Sequence, residues 1–342
     1  IIASGKQYTT VGRDFTVKVD ARIPNKFAGQ KVFYRFAAEG VYSQIGTTFT
    51  LPEDVENFKI AVFSCSNYPA GYFNAYNSAS KDKSIDMAIH LGDYLYEYKQ
   101  GEYATENSIS LNRQPIPNKE IITLSDYRQR HAQYKSDMDL QKLHSTMPVL
   151  CAWDDHEITN DAWKNNAENH QLNEGSFSQR KRNAIKAYYE WMPVREPKIS
   201  FNNWKRYKIG KLIDLKLLET RISSRSKQVN LNDYIKDGKN FQKEAFLKEL
   251  NNKKRSLIGK KQLDFIKEND LDDQTWNLYA QQVLLATLKL PTIPDNIIDE
   301  LPEYQSFYKT IIKEDLPYNL SLIHISEPTR PLYISYAVFC LK

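Results

Sequence analysis

MPVLCAWDDHEITND, residues Met147–Asp161, decides how this 342-residue chain is read. An apolar run of strand length, Met147–Trp153, passes directly into Asp154-Asp155-His156-Glu157. The same join occurs twice upstream. Phe58–Ser64 (FKIAVFS) runs into Cys65-Ser66-Asn67, and Ile85–His90 (IDMAIH) runs into Leu91-Gly92-Asp93-Tyr94-Leu95-Tyr96-Glu97. Two further apolar runs, Leu212–Leu218 and Trp276–Leu284, have strand length as well. Between several of these lie Leu124–Leu143 and Ser178–Met192, where charged and apolar residues recur at helical spacing. Strands alternating with helices predict an α/β core with both sheet faces covered. In such sheets ligands bind beyond the carboxyl ends of the strands, which is where the carboxylates, thiol, phenol and imidazole of these segments fall.

Glycine at 92 permits a tight exit from the second strand, and the Asp93 carboxylate can bridge two cations. Asp155 adds a second hard oxygen donor beside the His156 imidazole. Two cations held a few ångströms apart can orient a phosphate ester, activate a water and offset developing charge. Taken singly, each residue has a plainer explanation. A strand-terminal Asp such as Asp93 is more often a cap or turn residue, and Cys65 more often a small core side chain. Tyr96 alone reads as packing, and Asp154-Asp155-His156 as an acidic turn satisfied by backbone donors. Stability, however, does not demand such chemistry at three strand ends on one edge.

Composition bounds the remaining classes. Hydrophobic residues make up 41% and charged residues 26%, ordinary for a globular protein. The 47 basic and 42 acidic residues leave +5, too little and too dispersed for a nucleic-acid binder. No apolar run approaches the roughly 20 residues of a membrane span. Cys65, Cys151 and Cys340 form no disulfide framework. Upstream, Phe15-Thr16-Val17-Lys18-Val19 alternates and Lys31–Phe36 follows a turn-like Ala28-Gly29, predicting a small all-β sandwich (Ig-like) over residues 1–53. Leu51–Asp54 reads as its linker, residues 54–320 as the main domain, and Asn230–Lys254 as a solvated, Lys-rich excursion. The first residue is Ile1, and no leader is visible.

Four segments resemble the signature segments of PhoD-like phosphatases, in the family's order and at similar separations. They are SCSNYPAGYFNAY (Ser64–Tyr76), HLGDYLYEY (His90–Tyr98), WDDHEITND (Trp153–Asp161) and AYYEWMPVR (Ala187–Arg195). LLETR (Leu217–Arg221) fits a family strand that usually carries Asp where this chain has Glu219. The resemblance covers residues 7 to 290. It implies a metallophosphoesterase-type β-sandwich core flanked by helices, hydrolysing phosphate monoesters and diesters. Cys65, Asp93 and Tyr96 would bind Fe(3+), Asp93 would bridge to Ca(2+), and Asp155 would take the metal-binding Asn position of the related Asn-His motif. His156 would stabilise the leaving group, and Arg182 and Arg195 would grip phosphate, since guanidinium binds two oxygens at once. The resemblance also implies a secreted, periplasmic or cell-surface monomer acting on small phosphate esters or extracellular phosphodiester polymers.

The chain departs from the family in one respect. The family has a late strand ending in a Gly-Asp-x-His type segment, whereas Gly92-Asp93 is the sole Gly-Asp here. After His156 only His170 and His324 remain. Residues 321–342 (SLIHISEPTRPLYISYAVFCLK) resemble a translated sequencing adapter, so the expectation is a catalytic domain truncated downstream with a foreign tail, weak in metal binding and activity. Two other readings compete: a related two-metal nucleotide phosphodiesterase or nuclease, and a degenerate non-catalytic cell-surface homologue.

Overall fold

A computed structural model describes residues 1–198, 201–236, 240–268, 274–283, 294–298 and 308; the tail at 321–342 lies outside them. Four short strands come first: β1 (Lys31–Tyr34), β2 (Ala37–Ala38), β3 (Val41–Tyr42) and β4 (Gly46–Phe49). They form two antiparallel ladders, β1 with β4 and β2 with β3. In β1 only Val32 is buried, while Phe33, Tyr34, Val41 and Tyr42 are exposed. The alternating Phe15–Val19 forms no strand. Asp14 and Phe15 turn the chain at φ 53° and 54°. The segment then meets the end of a later helix, where Trp191 Nε1 donates to Asp14 Oδ2 at 3.0 Å and Lys18 Nζ donates to Val194 O, just beyond the helix, at 2.8 Å. Alternation creates a two-faced ribbon, but a strand also needs a partner ladder, and these contacts replace it.

The three decisive runs become parallel strands, β5 (Ile60–Phe63), β6 (Met87–His90) and β7 (Val149–Cys151), in the order β5-β6-β7. Helices α1 (Asn74–Lys81), α2 (Leu124–Lys135), α3 (Met138–Thr146) and α4 (Phe177–Trp191) accompany them. The stretch expected as one helix over Leu124–Leu143 is therefore two. Asp137 breaks it by accepting from the N–H groups of Asp139 and Leu140, both at 3.0 Å, and by pairing with Arg113 at 2.8 Å. Thr123 and Asp126 close a capping box on α2.

A second sheet contains β8 (Lys205–Ile209), β9 (Ile213–Leu217) and β10 (Trp276–Ala280), in the order β10-β9-β8; β9 runs antiparallel to β8 and parallel to β10. Side chains alternate across strands, and the two sheets use this to share one core. Met87 and Ile89 of β6 join Ile213, Leu215 and Leu217 of β9, while Ala88 and Cys151 enter the opposite cluster beneath the helices. Each large apolar side chain so buried contributes about 1.5–3 kcal/mol. The result is a mixed α/β fold of two packed small sheets with helices on the outer face of the first.

Residues 1–224 and 258–282 belong to one compact unit, which contains the N-terminal ladders, the helix Gly259–Glu268 and every candidate site residue. Residues 225–257 belong to a second unit. There Tyr234 and Phe241 enclose the buried Phe246 of helix Lys243–Leu250, with ring centroids 5.5 and 5.3 Å away. The stretch expected as a solvated excursion thus has a core, because three aromatics are spaced along it. No helix among the described residues is long and apolar enough to cross a membrane.

Candidate metal centre

The β5–β6 pairing continues past the strand ends. Leu91 N donates to Phe63 O at 2.8 Å, Cys65 N to Gly92 O at 3.2 Å and Ser66 N to Asp93 O at 2.8 Å. This sets Cys65 beside Asp93. Gly92 has φ 121°, and a Cβ there would stand 2.5 Å from Asp154 Cβ and 2.7 Å from the Trp153 carbonyl carbon. The exits of β6 and β7 touch only because residue 92 has no side chain. Cys65 and Asp93 adopt φ 60° and 53° without being glycine. Such residues cost on the order of 1–3 kcal/mol and persist where the surroundings hold them. Glu157 does much of the holding: its carboxylate accepts from Asp93 N at 3.1 Å, Tyr94 N at 2.7 Å and Asp154 N at 2.8 Å.

Donor atoms of Asp93, Asp155 and His156 all lie within 4.8 Å of one another, and all three residues are buried. The Cys65 thiol donates to Asp93 Oδ2 at 3.4 Å and the Tyr96 hydroxyl to the same oxygen at 3.3 Å. The Tyr96 ring lies 4.3 Å from the His156 ring. Cys65 stands at the open rim and is exposed as a residue, yet its drying surroundings, and then Asp93, raise its thiol pKa. Asp93 is raised well above the usual carboxylate range, by burial first; His156 opposes the shift, and Asp154, Asp155 and Glu157 add to it. Its Oδ1 is enclosed and makes no hydrogen bond among the described residues. A carboxylate in that setting, with thiol, phenol, second carboxylate and imidazole around it, fits a bound cation, which would supply the missing partner and the opposite charge.

Around this group stands a built frame. His156 Nδ1 donates to Glu97 Oε2 at 2.7 Å. The other Glu97 oxygen accepts from Thr159 Oγ1 at 3.1 Å, Asn160 N at 2.7 Å and Asn169 Nδ2 at 3.0 Å. Burial alone would raise Glu97, but His156 and these donors bring it down to about 2. Burial would lower His156, but Glu97, Asp93 and Asp155 raise it well above its ordinary value. Nδ1–H is therefore fixed on Glu97, leaving Nε2 for chemistry. Asp155 Oδ2 accepts from Asp161 N at 2.5 Å, and its Oδ1 lies 3.2 Å from Arg221 Nη2. Burial would raise Asp155, but Arg221, His156 and that N–H hold it well below the usual range.

Arg221 arrives from the other sheet. Beyond β9, Glu219 accepts from the N–H groups of Arg221 and Ile222 and from Ser223 N, each at 2.8 Å, and from Trp153 Nε1 at 3.0 Å. The longer acid at 219 thus ties the β9 exit to the β7 exit.

Of the residues expected at the site, the structure brings together Cys65, Asp93, Tyr96, Asp155 and His156. It places Arg182 and Arg195 elsewhere. Arg182 lies on the exposed face of α4, bonded to Ser178 and Gln179 at 2.6 and 2.7 Å. Arg195 is an exposed bidentate partner of Asp20 at 2.7 and 2.8 Å. His170 donates to Gly175 O at 3.1 Å, away from the group. Sequence reasoning misses Glu97 and Arg221, although both stand in the signature segments. The signal for Glu97 is a carboxylate four residues after Asp93; for Arg221, a basic residue just past an apolar strand.

This fold is that of the PhoD-like phosphatases. The profile of that family matches residues 60–309, and the chain belongs to it. It is 36% identical over 279 residues to alkaline phosphatase D of Bacillus subtilis (strain 168), a match covering 79% of this chain and 44% of that protein. The solved structure of PhoD is similar with a TM-score of 0.64 at 33% identity, covering 85% of this chain and 55% of that one. The chain thus spans about half the length of the relatives it matches.

Proposed function

We propose that this chain carries a metal-dependent site for hydrolysing phosphate monoesters and diesters. The observation that supports this most directly is the buried Asp93 carboxylate with its unpartnered Oδ1, facing Asp155 and His156 and flanked by Cys65 and Tyr96. Cys65, Asp93 and Tyr96 would hold Fe(3+), since thiolate and phenolate are anionic donors suited to oxidised iron. Asp93 and Asp155 would share Ca(2+). When bound, the cations supply charge that orients the ester and polarises its oxygens. His156, raised in pKa and anchored through Nδ1, presents Nε2 to the leaving oxygen and can place a proton there as the ester bond breaks. Glu157 and Glu219 keep the strand exits in register. Action as a secreted or cell-surface monomer, on small esters or extracellular phosphodiester polymers, belongs to the same reading by family resemblance. So does a separate Ig-like N-terminal domain. Asp93→Ala is expected to lose bound iron, measured by elemental analysis, together with turnover of a monoester and a diester assayed side by side. Retained turnover would overturn the reading.

A further inference from the structure

Arg221 forms ion pairs with Asp154, Asp155 and Asp161, and the function above gives it no task. The residue is 6% exposed. Its Nε donates to Asp154 Oδ1, and its Nη2 lies 3.2 Å from Asp155 Oδ1. Its Nη1 stands 3.7 Å from Asp161 Oδ1, is enclosed, and makes no hydrogen bond among the described residues. A buried N–H group without an acceptor costs free energy that a further acceptor would recover. The arm is not free to swing, because the Glu219 carboxylate holds the backbone of residues 221–223.

Charge indicates what that acceptor is. Asp93, Asp154, Asp155, Asp161, Glu97 and Glu157 crowd the site, so an incoming phosphate is repelled unless cations face it. Arg182 and Arg195 are bonded elsewhere. We propose that Arg221 is the substrate-binding residue that grips the phosphoryl group. Nε stays anchored on Asp154, while Nη1, joined by Nη2 as it leaves Asp155, donates to two phosphoryl oxygens. A planar fork suits that geometry, and a lysine cannot reproduce it. The proposal rests on the phosphoesterase reading, and its rival is a purely structural role for Arg221 as counter-ion to three acids.

The test titrates inorganic phosphate into the metal-loaded chain by calorimetry, comparing wild type with Arg221→Lys, Arg182→Ala and Asp93→Ala. Lysine keeps the counter-ion charge but not the fork. Arg221→Lys is expected to weaken phosphate binding about tenfold or more at unchanged metal content, and Arg182→Ala to change nothing. In the wild type labelled with 15N-arginine, one guanidinium resonance should shift on phosphate addition, a readout that holds even if the lysine variant folds poorly. Wild-type affinity in Arg221→Lys, a parallel loss of metal, or no shifted resonance overturns the proposal. Binding lost in Asp93→Ala but kept in Arg221→Lys removes this inference alone. Absence of phosphate binding by the metal-loaded wild type removes it and the function together.

Discussion

Asp93→Asn is expected to make the metal-free chain more stable and, in the same protein, to abolish stabilisation by metal. Donor atoms of Asp93 and Asp155 lie within 4.8 Å of each other. Two like charges that far apart repel by about 3.5 kcal/mol at an effective dielectric of about 20. Asp154 and Glu157 add to this, and His156 offsets part of it. Asparagine keeps the shape and an oxygen that can accept from Tyr96, but carries no charge. Arg221 beside Asp155 and proton uptake by Asp93 relieve part of this repulsion, so after relaxation the metal-free variant should gain roughly 1–3 kcal/mol at pH 8. Wild type at a metal concentration 100 times Kd gains about 2.7 kcal/mol. For a unit of this size that is roughly 5–10 °C in Tm. Thermal unfolding of both proteins, chelator-treated and metal-loaded, should therefore give an ordering that inverts: the variant higher without metal, wild type higher with it. A variant less stable in both states would show that Asp93 is a structural carboxylate. A preserved metal shift would show that it is not a ligand. Either result refutes the reasoning.

Glu97→Gln would keep an acceptor for Thr159, Asn160 and Asn169 but turn an amide toward His156 Nδ1. Ester turnover is expected to fall roughly 10–100-fold with bound metal unchanged by elemental analysis; undiminished kcat would remove Glu97 as the residue that positions His156. His131→Phe tests acid sensitivity. Among the described residues the buried ring has no hydrogen-bond partner at either nitrogen, and burial, then Lys135, brings its pKa down to about 3. With a folded pKa below the unfolded value of about 6.5, its contribution to stability is complete above pH 6.5 and is lost as pH falls toward 3, at about 1.4 kcal/mol per unit. Phenylalanine beside Tyr188 takes no proton, so the variant should lose about 2 kcal/mol less than wild type between pH 8 and 5. Equal pH slopes in thermal unfolding would contradict this.

Local chemistry made the three parallel strands β5, β6 and β7, α4 and the reactive strand ends legible in the sequence. Apolar runs that stop at Cys65, Gly92-Asp93 and Asp154–Glu157 announce both a buried strand and the reactive turn at its end. Parallel pairing then brings those ends together almost of necessity, because neighbouring strands share one carboxyl edge. Other features depended on partners far along the chain. Phe15–Val19 had the alternation of a strand, but its Lys18 met Tyr189 at the end of α4 and Val194 just beyond it instead of a ladder. Asp137 ended one helix and began another because Arg113 lay opposite. Arg182 and Arg195 had suitable chemistry on outward-facing positions, whereas Arg221 and Glu97 were carried in by folding: one across 66 residues onto Asp155, the other across 59 onto His156. The sequence alone thus determined the family and the segments that carry the five clustered side chains. Which guanidinium and which carboxylates surround them was decided only by tertiary packing, since charged side chains pair through space and leave no periodic trace along the chain.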